Sequence, residues 1–168
     1  MTIPKIITVP SVIQEVVDMV AAKSGIDVKF YHDTPEKLEA RLLLKDNAQA
    51  IKYPAILLFH DFPEQLGVQY YADVTIPKIA IATTTRQEYF ADQRYTVNFI
   101  PTLYPLYEWF KKCLTMHHSV VQSDPNNIVM TKYDRLYWGT TSAGQQLNDY
   151  LDAIELSNLK LTINQKCK

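Results

Sequence analysis

The residues best suited to chemistry are three histidine-containing doublets, His32-Asp33, His60-Asp61 and His117-His118. Histidine titrates near neutral pH, and beside a carboxylate it can relay a proton or help hold a divalent metal. His60-Asp61 follows the apolar run Ala55–Phe59, and the C-terminal ends of α/β strands are where such folds carry function. Metal-assisted hydrolysis by His32, Asp33, His60 and Asp61 is the chemistry this set would support. Adjacent residues on a strand project from opposite faces, however, so a doublet seldom acts as one unit without a special turn. Asp33 has an ordinary task at a helix start, and His117-His118 suits the negative C-terminal end of a helix dipole. The four glycines, Gly25, Gly67, Gly139 and Gly144, are too scattered for a phosphate-cradling loop or a dinucleotide fingerprint. No nucleophile elbow surrounds any serine. The expectation is a protein without catalytic residues, cofactor or metal; a small metal-dependent hydrolase is the alternative.

A chain of 168 residues is expected to form one domain, 1–168, that buries roughly two-thirds of its unfolded surface. Hydrophobic residues make up 47% and charged residues 21%, against a net charge of −1. That balance argues against disorder and provides no overall field toward nucleic acid or an anionic membrane. Cys113 and Cys167 are far apart and read as free thiols in a reducing compartment rather than a disulfide or zinc framework. Neither Met1–Pro10 nor any later run has signal-peptide or membrane-span character, so synthesis in the cytosol and no membrane association are expected.

The elements that must position these residues follow from periodicity. Ser11 with Gln14 has the spacing of a capping box. Val12, Ile13, Val16, Val17 and Val20 then share a helical face that ends at Gly25. Ile26–Tyr31 reads as a strand. Thr34-Pro35-Glu36 opens a second helix with Leu38, Leu42 and Leu43 on its apolar side. Ala55–Phe59 is a central strand buried on both faces. Gly67–Ile76 reads as a polar-aromatic strand or extended loop, and Ile79–Ala82 as a separate core strand ending at Thr83-Thr84-Thr85. Thr85 with Glu88 is a second possible capping box. Pro101 and Pro105 bracket the start of a longer helix carrying Leu103, Tyr107, Phe110 and Leu114, since both prolines fit only before a helix or in its first turn. Asp124-Pro125-Asn126-Asn127 suggests a hairpin between Val121 and Ile128. A short helical piece at Gln145–Tyr150, a last strand with Leu159, Leu161 and Ile163, and a mobile tail from about residue 164 complete the chain. The fold class is α/β of the α+β type: a mixed β-sheet with helices packed against it.

Eleven tyrosines supply apolar area with a polar tip, a combination favoured at protein interfaces. Tyr70, Tyr71, Tyr89, Arg94, Tyr137 and Trp138 are the expected interface residues. The absence of Arg and Lys interleaved with these rings argues against a single-strand nucleic-acid stacker.

Several segments together resemble small structural proteins of tailed phages and prophages, including crAss-like phages of gut Bacteroidales. They are Tyr53-Pro54-Ala55-Ile56 through Asp61-Phe62, Ile79–Thr85, Tyr89, Gln93-Arg94-Tyr95, Phe99, Pro101, Leu103–Tyr107, Tyr137-Trp138-Gly139 and Asn148–Glu155. The resemblance implies a tail-terminator-like fold and a head–tail connector or tail-terminator subunit. Such a subunit would form a six-fold or twelve-fold ring with itself, against neighbouring portal, adaptor or tail proteins. Double-stranded DNA would pass through without sequence-specific binding. The place of action would be the virion neck or tail, after synthesis in the host bacterial cytoplasm. An adaptor that binds one partner as a monomer is a further alternative.

Overall fold

The computed structural model describes residues 7–44, 48–66, 70–121, 128–141, 143–147 and 149–165. Helix α1, Val9–Ser24, starts three residues before its expected box. Thr8 is the N-cap: its N–H donates to Ser11 Oγ (3.0 Å) and its Oγ1 accepts from the Ser11 N–H (3.3 Å). Pro10 falls in the first turn, where no backbone donor is needed. Gln14 donates instead to Asp18 (2.9 Å). Gly25, at φ 71°, closes the helix in a left-handed conformation. Strand β1 is Lys29–Asp33, shifted from the expected Ile26–Tyr31, and α2, Pro35–Leu42, begins after Thr34 as expected. Strand β2, Ala55–Phe59, is buried at every position and runs parallel to β1.

Short strand β3 (Glu64–Leu66) pairs with β4, which extends unbroken from Tyr71 to Thr84. The two segments separated in the sequence reading are therefore one strand. Pro77, which cannot donate to a ladder, lies between them. In the fold Pro77 lies at the level of Asn158 on β6 (Leu151–Asn164), and Asn158 adopts φ 54°. Ile76 and Ile79 both face the same core, as do Leu156 and Leu159. Both strands thus reverse their side-chain alternation at one level and stay in register, Ile76 opposite Leu159 and Lys78 opposite Ser157.

The helical stretch Ala91–Met116 runs through a short α-helix α3 (Ala91–Arg94), a π-helical segment Tyr95–Leu103 and α4 (Tyr104–Met116). Pro105 is in the first turn of α4, but Pro101 lies inside the helical stretch. The wider π winding departs from the α-type hydrogen-bond ladder that an interior proline interrupts. The Thr85–Glu88 box does not form: Thr85 Oγ1 accepts from Arg94 Nη1 (3.4 Å), and the Phe90 N–H is held by Gln93 Oε1 (3.0 Å).

Strand β5 (Val129–Arg135) pairs antiparallel with β6. Val120 also pairs antiparallel with β6, at Ile163. The chain before and after Asp124–Asn127 therefore lies end to end along one edge of β6, not folded back as a hairpin; the turn itself is outside the described residues. Among the described residues of the expected Gln145–Tyr150 helix there is no helix; Gln146 bridges Thr140 instead. Strand β6 continues to Asn164, and the Gln165 N–H donates to the Tyr70 carbonyl (2.7 Å). Cys167, the rest of the expected tail and Gly67–Gln69 are outside the described residues.

The result is a six-stranded mixed sheet in the order β1-β2-β4-β6-β5, with β3 beside β4. Helix α1, the π segment and α4 cover one face through Val16, Phe99, Leu106, Phe110 and the alternate residues of β4 and β6. On the other face a smaller core gathers Leu38, Leu42, Leu57, Phe59, Ala80 and Leu147 under α2. The fold is thus α+β, a mixed sheet with helices packed on it.

Candidate functional site

Parallel pairing of β1 and β2 brings the first two histidines together. His32 Nε2 lies 2.7 Å from His60 Nδ1, and the His60 ring packs against Phe62 at 4.6 Å. Asp33 does not join them: its Oδ1 accepts from the Thr34 N–H (2.8 Å), with Lys37 4.0 Å away. Two ring nitrogens that face each other share one proton, whereas metal ligands must converge on a third point. Burial, and then the neighbouring His60, hold His32 below its ordinary value of 6.5, partly offset by Asp33. The unfolded chain therefore binds a proton here more readily than the folded one. This group's contribution is complete above about pH 6.5 and is lost as pH falls through the lowered folded value. His32→Gln is expected to lose less stability than the parent between about pH 7 and 5. Urea midpoints across that range test this; equal losses would refute it.

The third doublet has a different task from the helix-dipole role expected for it. His117 is buried; its Nδ1 accepts from the Ser119 N–H (3.2 Å), which places its proton on Nε2, aimed at Glu15 Oε2 (2.8 Å). It thereby ties the end of α4 to α1. Ligand atoms of Glu15, His117 and His118 lie within 4.8 Å of one another. The two imidazoles stack at 4.5 Å and 26°, so their ring-plane lone pairs run nearly parallel instead of converging. A metal on Nε2 would also leave His117 with no proton on either nitrogen while Ser119 still donates to Nδ1.

The six residues expected at an interface divide in two. Tyr70 and Tyr71 are exposed at the start of β4. Arg94 is buried, and each nitrogen of its guanidinium has a partner inside the chain. Its Nη1 donates to Asp152 Oδ1 (2.8 Å), Nε to the Tyr89 carbonyl (2.9 Å) and Nη2 to the Arg86 carbonyl (3.0 Å). Asp152, itself inaccessible to solvent, also accepts from Asn98 Nδ2 (2.7 Å) and the Tyr137 N–H (2.9 Å). Tyr137, at φ 55°, stacks on Tyr150 at 5.3 Å and carries the Arg94 charge 5.0 Å from its ring centre. Trp138 packs on the smaller core with Lys78 over its ring. Tyr89, Arg94, Tyr137 and Trp138 thus belong to, or brace, an internal joint linking α3, the π segment and β6.

A second cluster fixes α4 to β5. Asp134 accepts from Tyr104 (2.7 Å) and Tyr95 (3.3 Å) and pairs with Lys132. Burial alone would raise the Asp134 carboxyl, but Lys132 and the two phenols hold it below its ordinary range. Burial, with the bond to Asp134, pushes the Tyr104 phenol above its own. A raised phenol and a paired carboxylate are poor choices for nucleophile and base, so this cluster reads as structural.

The surface carries further apolar features. Leu66 (73% exposed), Phe90 (77%) and Ile100 (61%) project large apolar side chains, as do Val97, Val129 and Tyr133. On the face opposite the helices, α2 covers one part of the sheet; beyond it lies a groove of 460 Å³ lined by Gln65, Asp73, Thr75, Lys160 and Thr162. No described strand pairs with the outer edge of β1 or β5. No helix among the described residues is long and apolar enough to cross a membrane. These features define an α+β fold with, among the described residues, an open part of one sheet face and two free sheet edges. Compared with protein-family models, curated proteins and solved structures, the chain matches none.

Proposed function

We propose that the protein is a structural subunit of a tailed-phage virion, one copy in a six-fold or twelve-fold ring at the head–tail junction, as connector or tail terminator. The observation that carries this reading is the position of the free strands. Among the described residues the sheet ends in strands paired on one side only, β1 and β5, with exposed Val129 and Tyr133 on the latter. A free edge is a template for another chain. A ring needs two different complementary surfaces on each subunit, because its contacts are head-to-tail. The internal use of the conspicuous charges, Arg94 on Asp152 and Lys132 on Asp134, agrees with a scaffold. The near-neutral chain suits a lumen through which DNA passes without being held.

Negative-stain images of the purified chain test this reading. Closed rings with a central opening wide enough for duplex DNA are expected. Monomers that bind a stoichiometric metal and turn over an ester or phosphoester would refute it and favour the hydrolase.

A further inference from the structure

Resting on the ring reading, we propose that neighbouring copies join edge to edge, β1 of one subunit pairing antiparallel with β5 of the next around Tyr31 opposite Thr131, so that one sheet continues around the ring. Direction follows from topology. β1 runs parallel to β2, and each later pairing along the path reverses direction, so β5 runs opposite to β1. Copies related by rotation about an axis along the strands keep those directions, and β1 then meets β5 antiparallel. The Lys29 N–H and the Asp33 carbonyl are engaged on the β2 side, by Pro54 and His60. Strand alternation therefore directs the backbone groups of Phe30 and His32 outward.

The register follows from which face each residue occupies. Phe30 packs on the large core and Tyr31 on the small one. On β5, Met130 faces the large core, and Val129, Thr131 and Tyr133 face the other way. A continuous sheet must keep these faces aligned, because a one-residue slip exchanges them. Two registers that fully overlap β1 satisfy this. One places Lys29 opposite Arg135, a like-charge pair that destabilises an antiparallel ladder. The other places Lys29 opposite Tyr133, Tyr31 opposite Thr131 and Asp33 opposite Val129, with no like charges facing. Lys29 then meets an aromatic ring, a favourable partner for a cation.

The test is covalent capture in the full chain carrying Cys167→Ser, with Tyr31→Cys and Thr131→Cys introduced together. Directly opposed residues on antiparallel strands come close enough for a disulfide. Mild oxidation is expected to convert most of the chain into covalent species spaced by multiples of 19.4 kDa, which collapse to monomer on reduction. Thr131→Cys with Lys160→Cys, whose second position lies on β6 inside the sheet and off the proposed interface, is expected to give no covalent species above the monomer. Tyr31 also accepts from the Lys52 N–H, so Lys29→Cys with Tyr133→Cys provides a second pair should the first not fold. Rings that form while neither folded pair cross-links would overturn the edge pairing and leave the ring reading standing. A chain that remains monomeric and does not cross-link would overturn both.

Discussion

Asp152→Ala is expected to destabilise the fold by about 3–5 kcal/mol, the range for removing one partner from a buried ion pair. The size follows from what remains behind. Arg94 would keep its positive charge in a site with almost no solvent access, with backbone carbonyls but no carboxylate to balance it. Asn98 and the Tyr137 N–H would lose their acceptors as well. Three segments meet at this carboxylate, so the turn at Tyr137 and the start of the π segment should loosen together. Urea denaturation measures the loss; a change below about 1 kcal/mol, the size of an exposed pair, would show that Asp152 is not the anchor described. Replacing both partners by apolar residues of similar volume, Arg94→Met with Asp152→Leu, should recover part of the loss, since no unpaired charge is then left.

Phe99→Ala is expected to cost about 3–5 kcal/mol, typical of a fully buried aromatic truncated to alanine. Phe99 is inaccessible and packs against both the Tyr95 and Tyr104 rings at 4.7 and 5.7 Å. With Leu103 it brings the π segment down onto the sheet. Its removal would leave a cavity lined by residues that are themselves held, Tyr95 and Tyr104 both being bonded to Asp134. The site therefore cannot collapse easily, which favours the upper part of the range. Thermal and urea unfolding of the variant give the value, and a loss under about 2 kcal/mol would mean that the helix closes over the gap.

Much of this fold was legible from local pattern. Ala55–Phe59 has the continuous apolar character of a strand covered on both sides, and it is buried throughout. Val12 to Val20 marked the buried face of α1, and Gly25 its end. The failures occurred where distant residues decide the outcome. Pro77 looks like a strand breaker until Asn158 stands opposite it in a left-handed conformation. Asp124–Asn127 carries a turn signal, but pairing of both flanks with β6 determines where the chain goes. Pro101 reads as a helix boundary because the rule assumes α winding, and the segment is π-helical.

The candidate surface was legible only in part. Tyr70 and Tyr71 are exposed, as their polar-aromatic context indicated. Arg94, expected at an interface, is buried instead; its partner, Asp152, lies far away in sequence and nothing local to Arg94 points to it. Val97 and Ile100 are exposed on the side away from Phe99 and Leu103. They precede the expected helix start at Pro101–Pro105, so no helical face marks them.

Native mass spectrometry of the purified chain tests the central claim most directly. A closed species of six or twelve copies of the 19.4 kDa subunit is expected, with no ladder of open oligomers. A single-copy mass that persists as concentration is raised would contradict it.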